Sequence, residues 1–321
     1  MMATGGQRGM ALLVVLVIVA LLTTLTLELA FSTLVDLRLT ETFRDRTRAY
    51  YLARGGITAG RMFLQEDDNN YDSRHERWAQ EIINYPAAEG TVSIAIEDLN
   101  GRLAINELVR QNNAQAFVVD RFYRFFAGLG IEHLADPAEL TAALIDWLDE
   151  DDEPYQLIQT DDLNIPVTGA ENPSYQHEQP PYACKNGPLE SIEELLLVRG
   201  FTRKVVDIAA PYLTVHGDTR VNINTAGDKV LISLDSLISK EIAATLIARR
   251  EQAPIKEISE LTGLLPDRAY SALKSLANQN RLTTTSSFYR ITSEGRIADG
   301  KQRLVAEVDK RHNTLLLIKV D

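Results

Sequence analysis

The chain has 321 residues, enough for two domains or for one carrying a large insertion. Its net charge of −12 argues against a polyanionic partner, because nucleic-acid affinity rests on neutralising phosphates. With one cysteine, Cys184, neither an intramolecular disulfide nor a zinc cluster built from thiolates is possible.

The first element is an uncharged run from Met10 to Leu27, dominated by Leu, Val and Ile. Roughly 20 apolar residues at about 1.5 Å each cross the hydrocarbon core as one helix, and this one has no water-facing stripe. Arg8 and Gly9 precede it, and no small-residue cleavage site follows Leu27. The helical pattern continues through Leu34, Leu37 and Tyr50 to about residue 65, now interspersed with Asp36, Arg38, Arg44 and Arg48. The polar stretch Gln65–Asn70 ends it. Gly55 and Gly56 fall inside this helix, where they serve close packing or a bend.

Trp78 is predicted on a short helical piece, and Thr91–Glu97 alternates as a strand before an Asn100-Gly101 turn. Helices are then predicted over Ala116–Phe126, over Asp136–Trp147 with an N-cap and an N1 proline, over Glu190–Val198, over Asp235–Arg250 and over Lys256–Asn278. Arg102-Leu-Ala-Ile-Asn-Glu-Leu108 and Arg220-Val-Asn-Ile-Asn-Thr-Ala226 are similar and each opens a helical block, which predicts two tandem units. Strands return over Ser287–Glu294, Arg303–Asp309 and Thr314–Val320. The expected fold class is α+β: a long N-terminal helix packed on an antiparallel sheet from residues 67–102 and 282–321, with a large all-α insertion over 103–281.

Asp146, Asp149, Glu150, Asp151, Asp152 and Glu153, followed by Gly169-Ala-Glu171-Asn172, form the strongest candidate for chemistry. Hard oxygen donors at alternate loop positions, a nearby glycine and a later carboxylate suit calcium, although not in an EF-hand arrangement. A solvated acidic face has the same composition. Val221–Arg250 has the pattern of a helix-hairpin-helix unit, which grips phosphates through backbone amides. Its inter-helix turn, Leu234–Ile238, has Asp235 and no glycine, so the fold is expected without the ligand. His177, His216 and His312 are isolated and expected at the surface. Trp147 is expected in the core, and Cys184 has no base beside it.

The basic residue, glycine and apolar helix at the N-terminus resemble a type IV prepilin leader. The resemblance implies a leader over residues 1–9, peptidase cleavage between Gly9 and Met10, and methylation of Met10. It places the leader in the cytoplasm, the helix in the inner membrane as a single pass, and the bulk of the chain in the periplasm. Most pilin-like subunits have a Glu where this chain has Val14; that acid neutralises the buried amine of the subunit above. An unpaired buried charge costs several kcal/mol, so Val14 suits a tip subunit with nothing above it.

Asp146-Trp-Leu-Asp149, Gly169-Ala-Glu-Asn-Pro-Ser-Tyr175, Pro180-Pro-Tyr182, Lys185-Asn-Gly-Pro-Leu189 and Ser191–Gly200 follow in order, with Tyr51–Arg54 and Val221–Ala226 outside them. Together they resemble the minor pseudopilin K family of type II secretion systems over nearly the whole chain. The resemblance implies a non-enzymatic assembly protein at the tip of a short filament that exports folded proteins. Its partners would be I- and J-type minor pseudopilins, the prepilin peptidase and the inner-membrane assembly platform. The family's inserted domain binds calcium, which by position implicates Asp149, Asp151 and Glu171, then Asp146, Asp152 and Asn186. The family usually has an acid where Asn172 stands, so the resemblance extends less firmly to a second ion. The alternative class is a membrane-anchored periplasmic helix-hairpin-helix protein that binds DNA in an uptake or pilus system.

Overall fold

The structure, a computed structural model, describes residues 7–160 and 163–321. Residues 1–6 of the expected leader lie outside it. Helix α1 (Gln7–Glu66) runs unbroken for 60 residues, about 90 Å at 1.5 Å per residue. Every residue from Gly9 to Thr40 is exposed. Beyond that point Ala49, Ala53, Ile57 and Leu64 recur at helical spacing and are buried against a sheet. Gly55 is open on all sides, while a Cβ on Gly56 would collide with Ser293. Gly56 therefore serves close packing, and no bend is needed.

Strand β1 (Ile82–Ala87) and strand β2 (Gly90–Asp98) form a hairpin after a 3-10 turn at Arg77–Ala79. The edge strand β1 was not expected from the sequence, because Tyr85-Pro86 and the irregular register between Ile82 and Tyr85 break its alternation. The chain then enters the helical region through β3 (Leu103–Ala104), a small β4 (Val109–Arg110) and β5 (Asn113–Ala114) ribbon, α2 (Ala116–Gly128) and α3 (Pro137–Leu148). Asp136 caps α3 by accepting from the amides of Ala138 and Glu139. A hairpin of β6 (Leu157–Gln159) and β7 (Asn164–Pro166) follows, then one turn of helix, α4 (Asn172–Tyr175). The expected helix over 190–198 is instead a 3-10 helix, Ile192–Leu197, ended by Gly200 at φ +87. Helix α5 (Arg203–Ala209) and β8 (Leu213–Thr214) complete this part.

The second part starts at β9 (Val221–Asn222) and contains α6 (Asp228–Ser233), α7 (Lys240–Gln252) and α8 (Asp267–Asn278), ending at β10 (Leu282–Thr283). The helix expected from Asp235 begins five residues later, because Ser239 caps it through the Ile242 amide. The helix expected from Lys256 is a 3-10 turn, Ile258–Leu261, separated from α8 by Gly263 at φ +77 and Pro266.

The sequence repeat has a structural counterpart. Strand β3 pairs in parallel with β8, and β9 in parallel with β10, so each helical block is closed at its base by a two-residue bridge. Asn106 takes the amide of Leu189 and donates to its carbonyl; Asn224 does the same to Ile255. These asparagines occupy the same position of the repeat.

Strands β11 (Phe288–Ile297), β12 (Gly300–Asp309) and β13 (Thr314–Val320) return to the sheet, whose order is β1-β2-β11-β12-β13, antiparallel throughout. Helix α1 lies across β2, β11 and β12. A Cβ on Gly295 of β11 would collide with the α1 backbone at Ala49, which explains the glycine there. Two apolar clusters result, one between α1 and the sheet and a larger one inside the helical region. Polar groups join them. Asp98 accepts from Asn222, Thr225 and Ser286, and Asn100 donates to Asp218. Against expectation, His216 is not an isolated surface residue: its Nδ1 lies 2.6 Å from Glu307 of the sheet. His312 is likewise paired, with Asp309.

Candidate metal centre

The last turn of α3 delivers Asp146 and Asp149 to one end of the helical core. Asp146 is fully buried. Its Oδ1 accepts from the Tyr155 amide at 2.8 Å, while Oδ2 has no donor among the described residues. A Cβ on Gly169 would collide with that carboxylate, so the loop can pass there only as glycine. Asp149 ends α3 with extended backbone, and its Oδ1 also has no donor.

The loop turns through Asp151, whose Oδ1 accepts from the Glu153 amide at 2.9 Å and whose backbone carbonyl accepts from Asn186 at 2.8 Å. Glu150 is anchored from behind by its amide donating to Asn112. Glu171, at the start of α4, is 2% exposed, and neither of its carboxylate oxygens has a donor among the described residues. Asn186 sits at φ +48 with its side-chain oxygen likewise buried and unmatched.

Asp149, Asp151 and Glu171 each place a carboxylate oxygen within 4.8 Å of the others. Asp146 stands outside this set of three, and Asn186 is tied to it through the Asp151 carbonyl. Asp152 stands outside this set, its Oδ1 held by Asn172 Nδ2 at 2.8 Å. Asn172 also accepts from the Cys184 amide at 2.9 Å through its own oxygen. An acid at that position could not donate to Asp152, so the amide has a definite bracing role. The sequence places Gly169 and Asn172 beside Glu171 but gives no sign of their contacts, Gly169 against the Asp146 carboxylate and Asn172 between Asp152 and Cys184.

The electrostatics follow from this arrangement. Burial, then repulsion from neighbouring carboxylates, pushes Asp149 and Glu171 up to about 7; burial pushes Asp146 to about 6. Five buried oxygens without a donor among the described residues would each cost free energy unless a cation met them. The donors are oxygens of carboxylates and one amide. Calcium takes six to eight such oxygens in flexible geometry. Cys184 contributes nothing to the set: its Sγ donates to the Asp146 carbonyl, and burial raises the thiol to about 12. Trp147, Tyr175 and Tyr182 stack behind the loop, with the Trp147–Tyr175 centroids 5.2 Å apart, so Trp147 is a core residue.

Gly9, Met10 and Val14 lie together in the first turns of α1, far along the chain from this cluster. The turn between α6 and α7 binds its own chain: the Leu237 amide donates to Asp235 Oδ1 at 2.9 Å, and Arg250 is buried with its guanidinium on the Ile223 carbonyl.

Two family models, both described as type II secretion system protein K, match residues 101–218 and 221–283. Together they span more than half the chain, and they meet at the junction between the two bridged helical blocks. Type II secretion system protein K of Klebsiella pneumoniae is 29% identical over 254 residues, covering 76% of this chain and 74% of the relative. That of Pseudomonas aeruginosa is 25% identical over 95% of this chain and 89% of the relative. Among solved structures, a chain of the GspK-GspI-GspJ complex from the type 2 secretion system of enterotoxigenic Escherichia coli matches with a TM-score of 0.65. That match covers 88% of this chain and 99% of the other at 15% identity.

Proposed function

The chain belongs to the type II secretion system protein K family, and from that premise we propose that it is a membrane-anchored minor pseudopilin that caps the filament tip. The family supplies a structural component of the secretion system. The observation that carries the finer reading is α1, whose residues from Gly9 to Thr40 are exposed and mostly apolar while its outer half is built into the sheet. An exposed apolar helix of this length is stable only in lipid or against other apolar helices. Inner-membrane insertion before assembly, then packing beside the helices of companion subunits, meets both needs.

Cleavage after Gly9 would leave Met10 as a methylated N-terminus at the start of α1. Val14 then leaves no buried acid to be matched by a subunit above. Companions comparable to the GspI and GspJ chains of the solved complex would join from the side and below. Folded proteins would be the exported substrates.

Asp149, Asp151 and Glu171 would hold calcium, with Asn186 tied to the Asp151 carbonyl. Calcium held there would keep the carboxylates ionised at neutral pH and tie together the segments that carry Asp149, Asp151 and Glu171. The reading is tested by expressing the chain with and without its prepilin peptidase and determining the N-terminus by mass spectrometry. A mature chain starting at Met10, with export lost when the gene is deleted, supports it. An intact N-terminus with the peptidase active would overturn it.

A further inference from the structure

The segment 184–194 runs from the acidic loop to a cleft between the helical region and the sheet, and hydrogen bonds hold it along the way. At its start the Cys184 amide donates to Asn172, the residue after Glu171. Asn186 has left-handed backbone, φ +48, and its Nδ2 donates to the Asp151 carbonyl at 2.8 Å. The Gly187 amide donates to the Trp147 carbonyl at 3.1 Å. Asn106 then clasps Leu189 through both backbone groups, and its Nδ2 also reaches the Val215 carbonyl at 3.0 Å. Val215 precedes His216, the partner of Glu307 on the sheet.

Glu194 closes the far end. Its carboxylate accepts from Trp147 Nε1 at 3.2 Å, and from Lys185 Nζ and the Glu190 amide, both at 3.0 Å. One side chain thus ties the last turn of α3 to both ends of the segment. Between these ties, Glu190, Ser191, Ile192 and Glu193 form one wall of a cleft of about 580 Å³, which Arg290 and Lys319 line from the sheet. The Glu193 carboxyl is held below its ordinary value by its own backbone amide, then by Ser191, and then by Lys319 and Arg290. The two walls therefore attract each other.

Resting on the calcium reading of the acidic loop, we propose that segment 184–194 is a strap through which a cation at Asp149, Asp151 and Glu171 fixes the Glu190–Glu193 wall of the cleft. Without the cation the three carboxylates repel one another. The Asp151 carbonyl is then no longer held beside Asn186, and the strap loses the anchor of its left-handed turn. With the cation, the wall is set in place facing Arg290 and Lys319. The cation so governs a cleft to which none of its three carboxylates belongs. Any opening that breaks the cation site is suppressed in proportion to its occupancy. Calcium at about ten times its dissociation constant suppresses that opening about tenfold, and slows by the same factor every amide that exchanges through it.

The test is hydrogen exchange on the full chain in detergent micelles, with calcium at that concentration and with chelator. The amides of Gly187, Leu189 and Glu190 should slow about tenfold, together with that of Glu153, which donates within the acidic loop. The Ile255 amide, clasped by Asn224 in the other helical block, is the internal control and should change by less than about twofold. Slowing at Glu153 with none at 187–190 would overturn the strap and leave calcium binding intact. No slowing at any of these amides would overturn the strap, and an unmoved melting temperature with it would overturn the calcium reading as well. Equal slowing at Ile255 would also overturn the strap, since calcium would then stabilise the helical region as a whole. In E194Q the calcium-induced rise in melting temperature should persist, while the slowing at Glu190 should fall below about twofold. The weakened acceptor lets that amide exchange without opening the site. Undiminished slowing at Glu190 in E194Q would overturn the tie through Glu194.

Discussion

Glu171 and Asp149 carry the chemistry of the acidic loop because the fold buries them beside one another. In the metal-free protein their carboxyls are raised to about 7, whereas unfolded chains ionise near pH 4. Between those values the folded state holds more protons than the unfolded one, so stability falls as pH rises, by up to about 1.4 kcal/mol per pH unit per group. Below pH 4 both states are protonated and the effect vanishes. Metal-free protein should therefore melt at a lower temperature at pH 7.5 than at pH 5. Calcium at the proposed site should reverse that order, because it would bind the ionised carboxylates of the native state alone. Melting curves at both pH values, with calcium and with chelator, check this. In E171Q and D149N the calcium-induced shift should be lost, and each variant without metal should be more stable at pH 7.5 than the parent, since a charge that burial penalises is gone. A G169A variant makes a sharper demand. Its methyl group would displace Asp146, so it should destabilise the protein by about 1–3 kcal/mol and weaken calcium binding although no proposed ligand is changed.

At the scale of elements, the paired asparagines make the repeat testable. Each of Asn106 and Asn224 bonds both backbone groups of a residue in a distant loop. Replacement by alanine leaves a buried amide and carbonyl unmatched, so N106A and N224A should each cost about 2–4 kcal/mol. The two are in separate blocks and their costs should add in the double variant, as denaturant unfolding would reveal. The repeat was legible in the sequence because these asparagines follow the same apolar spacing. The long helix, β2 and the three C-terminal strands were legible for a similar reason: each keeps one period over several turns or pairs. The 3-10 segment at Ile192–Leu197 was not, since Glu193 to Leu197 fits either helical geometry and only the packing of Leu195 decides. Short α5 and α6 have too few turns to show a period. At the acidic loop the sequence supplied the donors but not their convergence. Asp152 and Asp151 are adjacent and chemically alike, and only the fold shows that Asn172 holds the former. His216 gave no local sign of Glu307, which is 91 residues distant.

Across the whole molecule the two apolar clusters meet through hydrogen bonds rather than through shared core. Asp98, Asn100, Asn222 and the His216–Glu307 pair form that junction. Polar junctions of this kind transmit less cooperativity than apolar ones, so parts on either side can unfold at different free energies. The chain has two tryptophans, and the fold puts one in each cluster: Trp78 beneath the sheet and Trp147 behind the acidic loop. Single-tryptophan variants W78F and W147F thus report separately on the two cores. Removing calcium should lower the transition seen through Trp147 in W78F by several degrees and leave that seen through Trp78 in W147F nearly unmoved. Alanine at Asp98 should widen the gap further, because Asn222, Thr225 and Ser286 would lose the acceptor that ties them to the sheet. If both fluorescence transitions shift together on chelation, the junction is stiff. The acidic loop would then stabilise the sheet and the outer half of α1 as well as the helical region, and a cation at the proposed site would act directly on the part of the molecule proposed to enter the filament.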